Sequence, residues 1–139
     1  MHFSYSFSIN LRVRYSETDQ MGYCYYGNYA QYFEVGRVET LRSLGMSYKQ
    51  LEEEGIMLPV SEFSVNYFAP AFYDNSLTVE TTIKEIKGAR IYFDYTITNE
   101  TGELICTAQT TLVFVQKGTM KPIPAPKSFT TKLQEYVQN

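Results

Sequence analysis

Histidine is nearly missing from this 139-residue chain: the single one, His2, sits at the usually frayed N-terminus. The commonest general base is therefore absent from the rest of the protein, and any acid–base chemistry falls to carboxylates. There are two cysteines, Cys24 and Cys106, far apart and in no metal-ligand spacing. That excludes a disulfide framework and a cysteine-ligated metal site, and it makes a reducing cytoplasm the expected compartment. Basic charge is not in excess either, with 12 Lys+Arg against 15 Asp+Glu, a net charge of −3 and a pI near 5.2. A broad nucleic-acid footprint needs a strongly basic face, so any phosphate contact here must be local. No apolar run reaches the about 18 residues of a membrane span, and no basic segment leads a continuous apolar stretch near the N-terminus. Neither a membrane span nor export is expected. A phosphate loop of the glycine-lysine type is also lacking.

What is present in quantity is tyrosine: 13 Tyr and 9 Phe stand beside no Trp. Tyrosine suits surfaces that are half apolar and half wet, such as interfaces and ligand clefts. With 44% apolar and 19% charged residues in 16.1 kDa, the chain reads as one folded domain over 1–139. Phe3, Tyr5, Phe7, Ile9, Leu11, Val13 and Tyr15 alternate as in a half-buried strand. Tyr29, Tyr32, Phe33, Gly36, Val38, Leu41 and Leu44 follow with helical spacing, Asn28 placed to cap them and Gly45 to stop them. Gly36 on the apolar stripe costs roughly 1 kcal/mol of helix propensity, which is understandable if another backbone packs closely there.

Ser47–Glu54 reads as a short helix capped by Ser47, and Met57–Phe68 as an extended run closed by Pro70. Ser76–Ile86, Ala89–Asn99 and Glu103–Gln116 read as strands, with Lys87-Gly88 and Thr101-Gly102 as tight turns between them. These three are expected to form an antiparallel meander, and 117–139 an extended, proline-rich tail. Strand, long helix, then more strands predicts an α+β domain whose antiparallel sheet wraps one helix.

Between the first strand and the helix runs Thr18-Asp19-Gln20-Met21-Gly22-Tyr23-Cys24-Tyr25-Tyr26-Gly27-Asn28-Tyr29. It sets a carboxylate in a glycine-containing loop just ahead of a helix start. Asp19, Gly22, Tyr25, Asn28 and Tyr29 match in order and spacing the signature of the hotdog-fold acyl-CoA thioesterases of the 4-hydroxybenzoyl-CoA thioesterase type. The segment Tyr67-Phe68-Ala69-Pro70-Ala71-Phe72-Tyr73-Asp74 is similar to that family's strand-ending segment. Where one branch of the family has histidine after the signature tyrosine, this chain has Tyr26, as another branch does.

The resemblance implies a hotdog fold, an antiparallel sheet around one long helix. It also implies a homodimer with sites at the subunit interface, often paired further into a homotetramer. The implied activity is hydrolysis of a small or medium acyl-CoA thioester, with no cofactor and coenzyme A present only as part of the substrate. A thioesterase acting on acyl-carrier protein is the runner-up, and an acyl-CoA-binding hotdog protein without catalysis the alternative of another class.

Thioester hydrolysis tolerates the shortage of histidine, because a leaving thiol of pKa about 8.5 needs little acid assistance. Asp19 is the candidate general base, or else a nucleophile forming a mixed anhydride that water resolves. By resemblance the Tyr26 backbone amide is the oxyanion donor and Gly22 shapes the loop, while Tyr25, Asn28 and Tyr29 bind substrate. The ordinary alternatives are a turn aspartate at position 19 and tyrosines that serve as core or interface aromatics. Glu17, Glu34, Glu39 and Glu62 are rival carboxylates, with Glu34 and Glu39 on solvated or interface faces of the helix. Cys24 has no histidine to activate it and reads as packing. Lys87, Gly88 and Arg90 lie in a turn where the family places coenzyme A contacts; Lys117 and Lys121 are weaker candidates.

Overall fold

The alternating aromatics of the N-terminal segment form β1, His2–Arg12, in the computed structural model, which describes residues 1–138. A glycine-containing loop with two 3₁₀ turns, Tyr15–Glu17 and Tyr26–Asn28, leads to α1, Tyr29–Ser43. Then come α2 (Tyr48–Glu53), β2 (Ile56–Met57), β3 (Val60–Tyr67), β4 (Ser76–Lys87), β5 (Arg90–Thr98), β6 (Leu104–Val113), β7 (Val115–Gln116), α3 (Lys127–Lys132) and β8 (Val137–Gln138). Six strands form one antiparallel sheet in the order β3-β6-β5-β4-β1-β8, and β2 with β7 makes a small separate ribbon. The expected meander is β4-β5-β6, joined by the turns at Lys87-Gly88 and Thr101-Gly102.

The sheet curls around α1, which lies against β1 and β4. From the strands, Leu77, Val79, Ile83, Ile91, Phe93, Ile97 and Ile105 are fully buried; from the helix, Phe33 and Leu41 are. Gly36 has the close neighbour its composition implied. A Cβ there would stand 2.6 Å from the Thr81 hydroxyl oxygen and 3.1 Å from a Val79 methyl, so helix and sheet meet at a distance only glycine permits. Ser47 caps α2 as expected, its hydroxyl accepting the Gln50 N–H at 3.1 Å.

The buried stripe of α1 differs from the sequence expectation at one face. Arg37 and Thr40 are buried on it, whereas Val38 and Leu44 are only half-buried. Arg37 tolerates this because its guanidinium donates to the Tyr95 hydroxyl at 3.1 Å and to that of Tyr48 at 3.4 Å. The tail also needs correcting. Of the expected extended tail 117–139, residue 139 lies outside the described residues and 117–138 are not wholly extended: Pro126 starts α3, whose Phe129 and the following Leu133 are buried, and Val137 pairs with Phe3. Phe129 packs edge-on against Phe114, 5.2 Å between ring centres, so two apolar residues four apart tie the tail to the core.

β3 stays at the sheet edge, paired on one side with β6 and exposed along almost its whole length. Among the described residues, no helix is long and apolar enough to cross a membrane.

Candidate active site

The loop between β1 and α1 folds onto itself through short-range bonds. The Asp19 N–H donates to Tyr23 O at 3.1 Å and the Gly22 N–H to Asp19 O at 3.0 Å, with Gly22 in the left-handed region at φ 87°. An L side chain would be strained there, which explains glycine at this signature position. The Asp19 carboxylate accepts the Met21 N–H at 2.9 Å through one oxygen. The turn role expected of an arbitrary loop aspartate is therefore real, but it uses half of the carboxylate. Among the described residues nothing hydrogen-bonds the other oxygen.

The two segments that carried the resemblance meet in space. The Cys24 N–H donates to Ala71 O at 2.7 Å, and Tyr23 bridges to Phe72. Between them opens a cavity of about 430 Å3. It is lined by Asp19, Met21, Tyr23, Cys24, Tyr26 and Tyr29 and by residues 67–70 at the end of β3. Tyr29 is a wall: it is buried, packs on Tyr32 and Tyr67, and its hydroxyl pKa is pushed well up by burial. Tyr26 is exposed at the mouth, its ring 4.8 Å from that of Tyr25. Tyr25 does not line the cavity.

Tyr26 opens a 3₁₀ turn that runs directly into α1. Among the described residues no acceptor takes up its N–H, which leaves a donor at the positive end of a helix dipole. Asn28 stands at the cap position of α1 but does not cap it, nor does it line the cavity. Its side-chain amide instead donates to Glu17 O at 2.8 Å. The chain already turns helically before α1, so the first N–H of α1, that of Tyr29, donates to Tyr26 O without a side-chain cap.

The rival carboxylates separate clearly. Glu17 is buried and fully engaged, with Oε1 accepting the Arg14 N–H at 2.8 Å and the Tyr32 hydroxyl at 2.9 Å, and Oε2 the Arg14 guanidinium at 3.0 Å. Burial alone would raise its pKa, but these donors and the Arg14 charge outweigh it and hold the carboxyl below its ordinary value. Glu39 pairs with Arg42 on the helix surface, Glu34 is exposed, and Glu62 lies on the open β3 edge. Cys24 is buried, with its thiol pKa raised by desolvation, and Cys106 is pushed up to about 12 by the same cause. Neither is an activated nucleophile.

Lys87, Gly88 and Arg90 are not assembled with Asp19 in one chain. They form the tip of the β4–β5 hairpin, whereas the loop of Asp19 adjoins the start of β4, where Arg12 pairs with Ser76. β4 has 12 residues, so the two ends are separated by roughly 36 Å at about 3.3 Å per residue. Reasoning from sequence also left the Tyr32 hydroxyl unassigned and gave Phe68, Ala69 and Pro70 no role at the cavity. The Pro-Ala segment was their only signal.

The profile of the thioesterase-like superfamily matches residues 13–133. The chain is similar to the acyl-CoA thioesterase YbgC of Haemophilus influenzae, 35% identical over 122 residues that cover 87% of this chain and 89% of that one. Among solved structures it is similar to the DHNA-CoA thioesterase of Staphylococcus aureus, with a TM-score of 0.89, 35% identity, and coverage of 94% and 89%. A mutant 4-hydroxybenzoyl-CoA thioesterase complexed with 4-hydroxybenzoyl-CoA shares the fold at a TM-score of 0.85 and 21% identity, with coverage of 93% and 99%. The chain belongs to the thioesterase-like superfamily and has its hotdog fold. Within that class it is an enzyme, a thioester hydrolase, so the reading as a binding protein without catalysis falls away.

Proposed function

We propose that this enzyme hydrolyses a small or medium acyl-CoA thioester to the free acid and coenzyme A, with Asp19 as general base or nucleophile and the Tyr26 amide as oxyanion donor. The observation that carries the reading is the pairing, on one cavity, of a half-free carboxylate with an unused N–H at a helix start. The free Asp19 oxygen either takes a proton from water as it attacks the thioester carbon or attacks that carbon itself. Negative charge then gathers on the carbonyl oxygen, where a pre-aimed backbone N–H lowers the barrier by about 3 kcal/mol. The carbon–sulfur bond breaks as that oxygen reforms the carbonyl, and the thiolate leaves without a strong acid; where Asp19 itself attacked, water then cleaves the mixed anhydride, freeing the acid and restoring the carboxylate. No cofactor takes part, because coenzyme A belongs to the substrate.

Size and lining favour an acyl group of modest length: about 430 Å3 with aromatic walls lies within the range of small-ligand pockets. The assembly is a homodimer at least, and we infer a homotetramer built from such pairs. Val60, Phe63 and Tyr67 leave 47%, 46% and 48% of their surface exposed on an unpaired strand edge, a surface that soluble proteins normally cover. Antiparallel pairing of two β3 edges would set a partner's Val60 end beside Tyr67. The hairpin tip lies at the Val60 end of the sheet, since Val60 pairs near Leu112 and Arg90 with Val113. A partner's Lys87, Gly88 and Arg90 would thus come to the Asp19 side, where two cations suit coenzyme A phosphates.

Thiol release followed colorimetrically over a panel of acyl-CoAs, with matched acyl-carrier-protein thioesters alongside, tests the substrate class. Turnover of the coenzyme A series is expected. Turnover confined to the carrier-protein series would move the assignment to the runner-up.

A further inference from the structure

Glu17 is bonded in a way that its position outside the cavity does not explain. Its main-chain carbonyl accepts two donors, the Tyr25 N–H at 2.8 Å and the Asn28 side-chain amide at 2.8 Å. Those residues flank Tyr26 on either side, so one oxygen holds both ends of the turn that carries the free amide. A carbonyl has two lone pairs, and both are used. The side chain of the same residue fixes that carbonyl's orientation. Glu17 is 6% exposed, and its carboxylate is tied to Arg14, two residues past the end of β1, through two donors and to α1 through the Tyr32 hydroxyl. Neither carboxylate oxygen is left over for a proton transfer.

We propose that Glu17 is a positioning residue: by clamping its own peptide between β1 and α1, it aims the Tyr26 N–H at the developing oxyanion. The inference rests on the thioesterase reading above and deepens it. The donor must point at where charge will be, not at the resting carbonyl, and a displacement of about 1 Å at such a site is worth up to about 10²-fold in rate. Asn28 acquires a purpose in this arrangement too. Its side chain crosslinks the turn to Glu17 instead of capping the helix, which keeps the turn from rotating as a unit.

Glu17→Gln keeps the shape but turns one acceptor into a donor that faces Arg14. Tyr32→Phe removes one tether and leaves the core packing in place, so it decides the matter should the first variant not fold. kcat and KM are measured per folded protein, with the folded fraction taken from circular dichroism, and Asp19→Asn is measured in parallel. The proposal predicts that kcat falls on the order of tenfold or more in Glu17→Gln and about threefold in Tyr32→Phe, with KM within about twofold of native in both. A native kcat in either folded variant overturns it, as does a rise in KM with kcat unchanged. Native kcat in Asp19→Asn would instead overturn the role assigned to Asp19, and no turnover of any acyl-CoA by the native protein would overturn the substrate reading, so the failures are distinguishable.

Discussion

Replacing Gly36 with alanine sets two effects of opposite sign against each other, and the geometry decides between them. Alanine in the middle of a helix gains about 1 kcal/mol of propensity over glycine. The added methyl, however, would lie 2.6 Å from Thr81 Oγ1 and 3.1 Å from a Val79 methyl. The first separation is shorter than real contacts allow, and its partner is a stiff, β-branched, fully buried side chain rather than the free end of a flexible one. Overpacking of this kind costs about 1–3 kcal/mol, so the net effect is a loss of about 1 kcal/mol. For 139 residues, an unfolding entropy of about 2.1 cal/mol/K per residue converts that into a fall in Tm of about 3 °C.

Thr81 Oγ1 is buried with no hydrogen-bond partner, so trimming it to alanine relieves the clash without breaking a bond. Gly36→Ala combined with Thr81→Ala should lose less than the sum of the single changes by about 1 kcal/mol. Differential scanning calorimetry at fixed protein concentration reads all four proteins. A rise in Tm for Gly36→Ala, or strict additivity in the double variant, would refute the close approach of α1 to β4. Because the 3₁₀ turn that carries the proposed oxyanion donor runs directly into α1, the same change should lower kcat.

Phe129→Ala removes the ring that anchors α3 against Phe114 and should cost about 3–5 kcal/mol by urea unfolding; a loss below about 1 kcal/mol would mean that the tail is a detachable cover. Phe63→Lys puts a charge on the open β3 edge and should shift the assembly toward monomer by sedimentation velocity, with native association arguing for another interface. The Glu17 carboxyl is held below its ordinary value near 4.5 in the folded state, so its stabilising contribution is complete above that pH and is lost as pH falls through the lower, folded value. The stability gap between native and Glu17→Gln should accordingly be flat from neutral pH to about pH 6 and close under acid, whereas a gap that widens on acidification would contradict the assignment.

Most of the architecture could be read from local pattern. The odd-numbered aromatics of β1, the helical spacing from Tyr29 to Leu41, and the Lys-Gly and Thr-Gly turns each state a period or a break that packing then honours. α3 was hidden because six residues leave little room for periodicity, and three prolines just before it read as extended chain. Arg37 was missed on the buried stripe because a charged residue reads as surface until the hydroxyls of Tyr48 and Tyr95, distant in sequence, are seen to receive it. At the site, positions 19, 22 and 26 were legible through the family resemblance of their segment, and Asp19 and Tyr26 both line the cavity. The bond between Asn28 and Glu17 was not, since which carbonyl an amide reaches eleven residues away depends on the path of the loop. For Lys87 and Arg90 the turn itself was legible, but not the end of the sheet on which it falls.

The central claim, that Asp19 does the chemistry in the cavity it shares with the Tyr26 amide, is tested most directly by single-turnover rapid-quench hydrolysis of an acyl-CoA with native protein and Asp19→Asn in excess over substrate. The account predicts a slowing of about 10²–10⁴-fold in the variant with acyl-CoA binding retained. A native single-turnover rate in Asp19→Asn would contradict it.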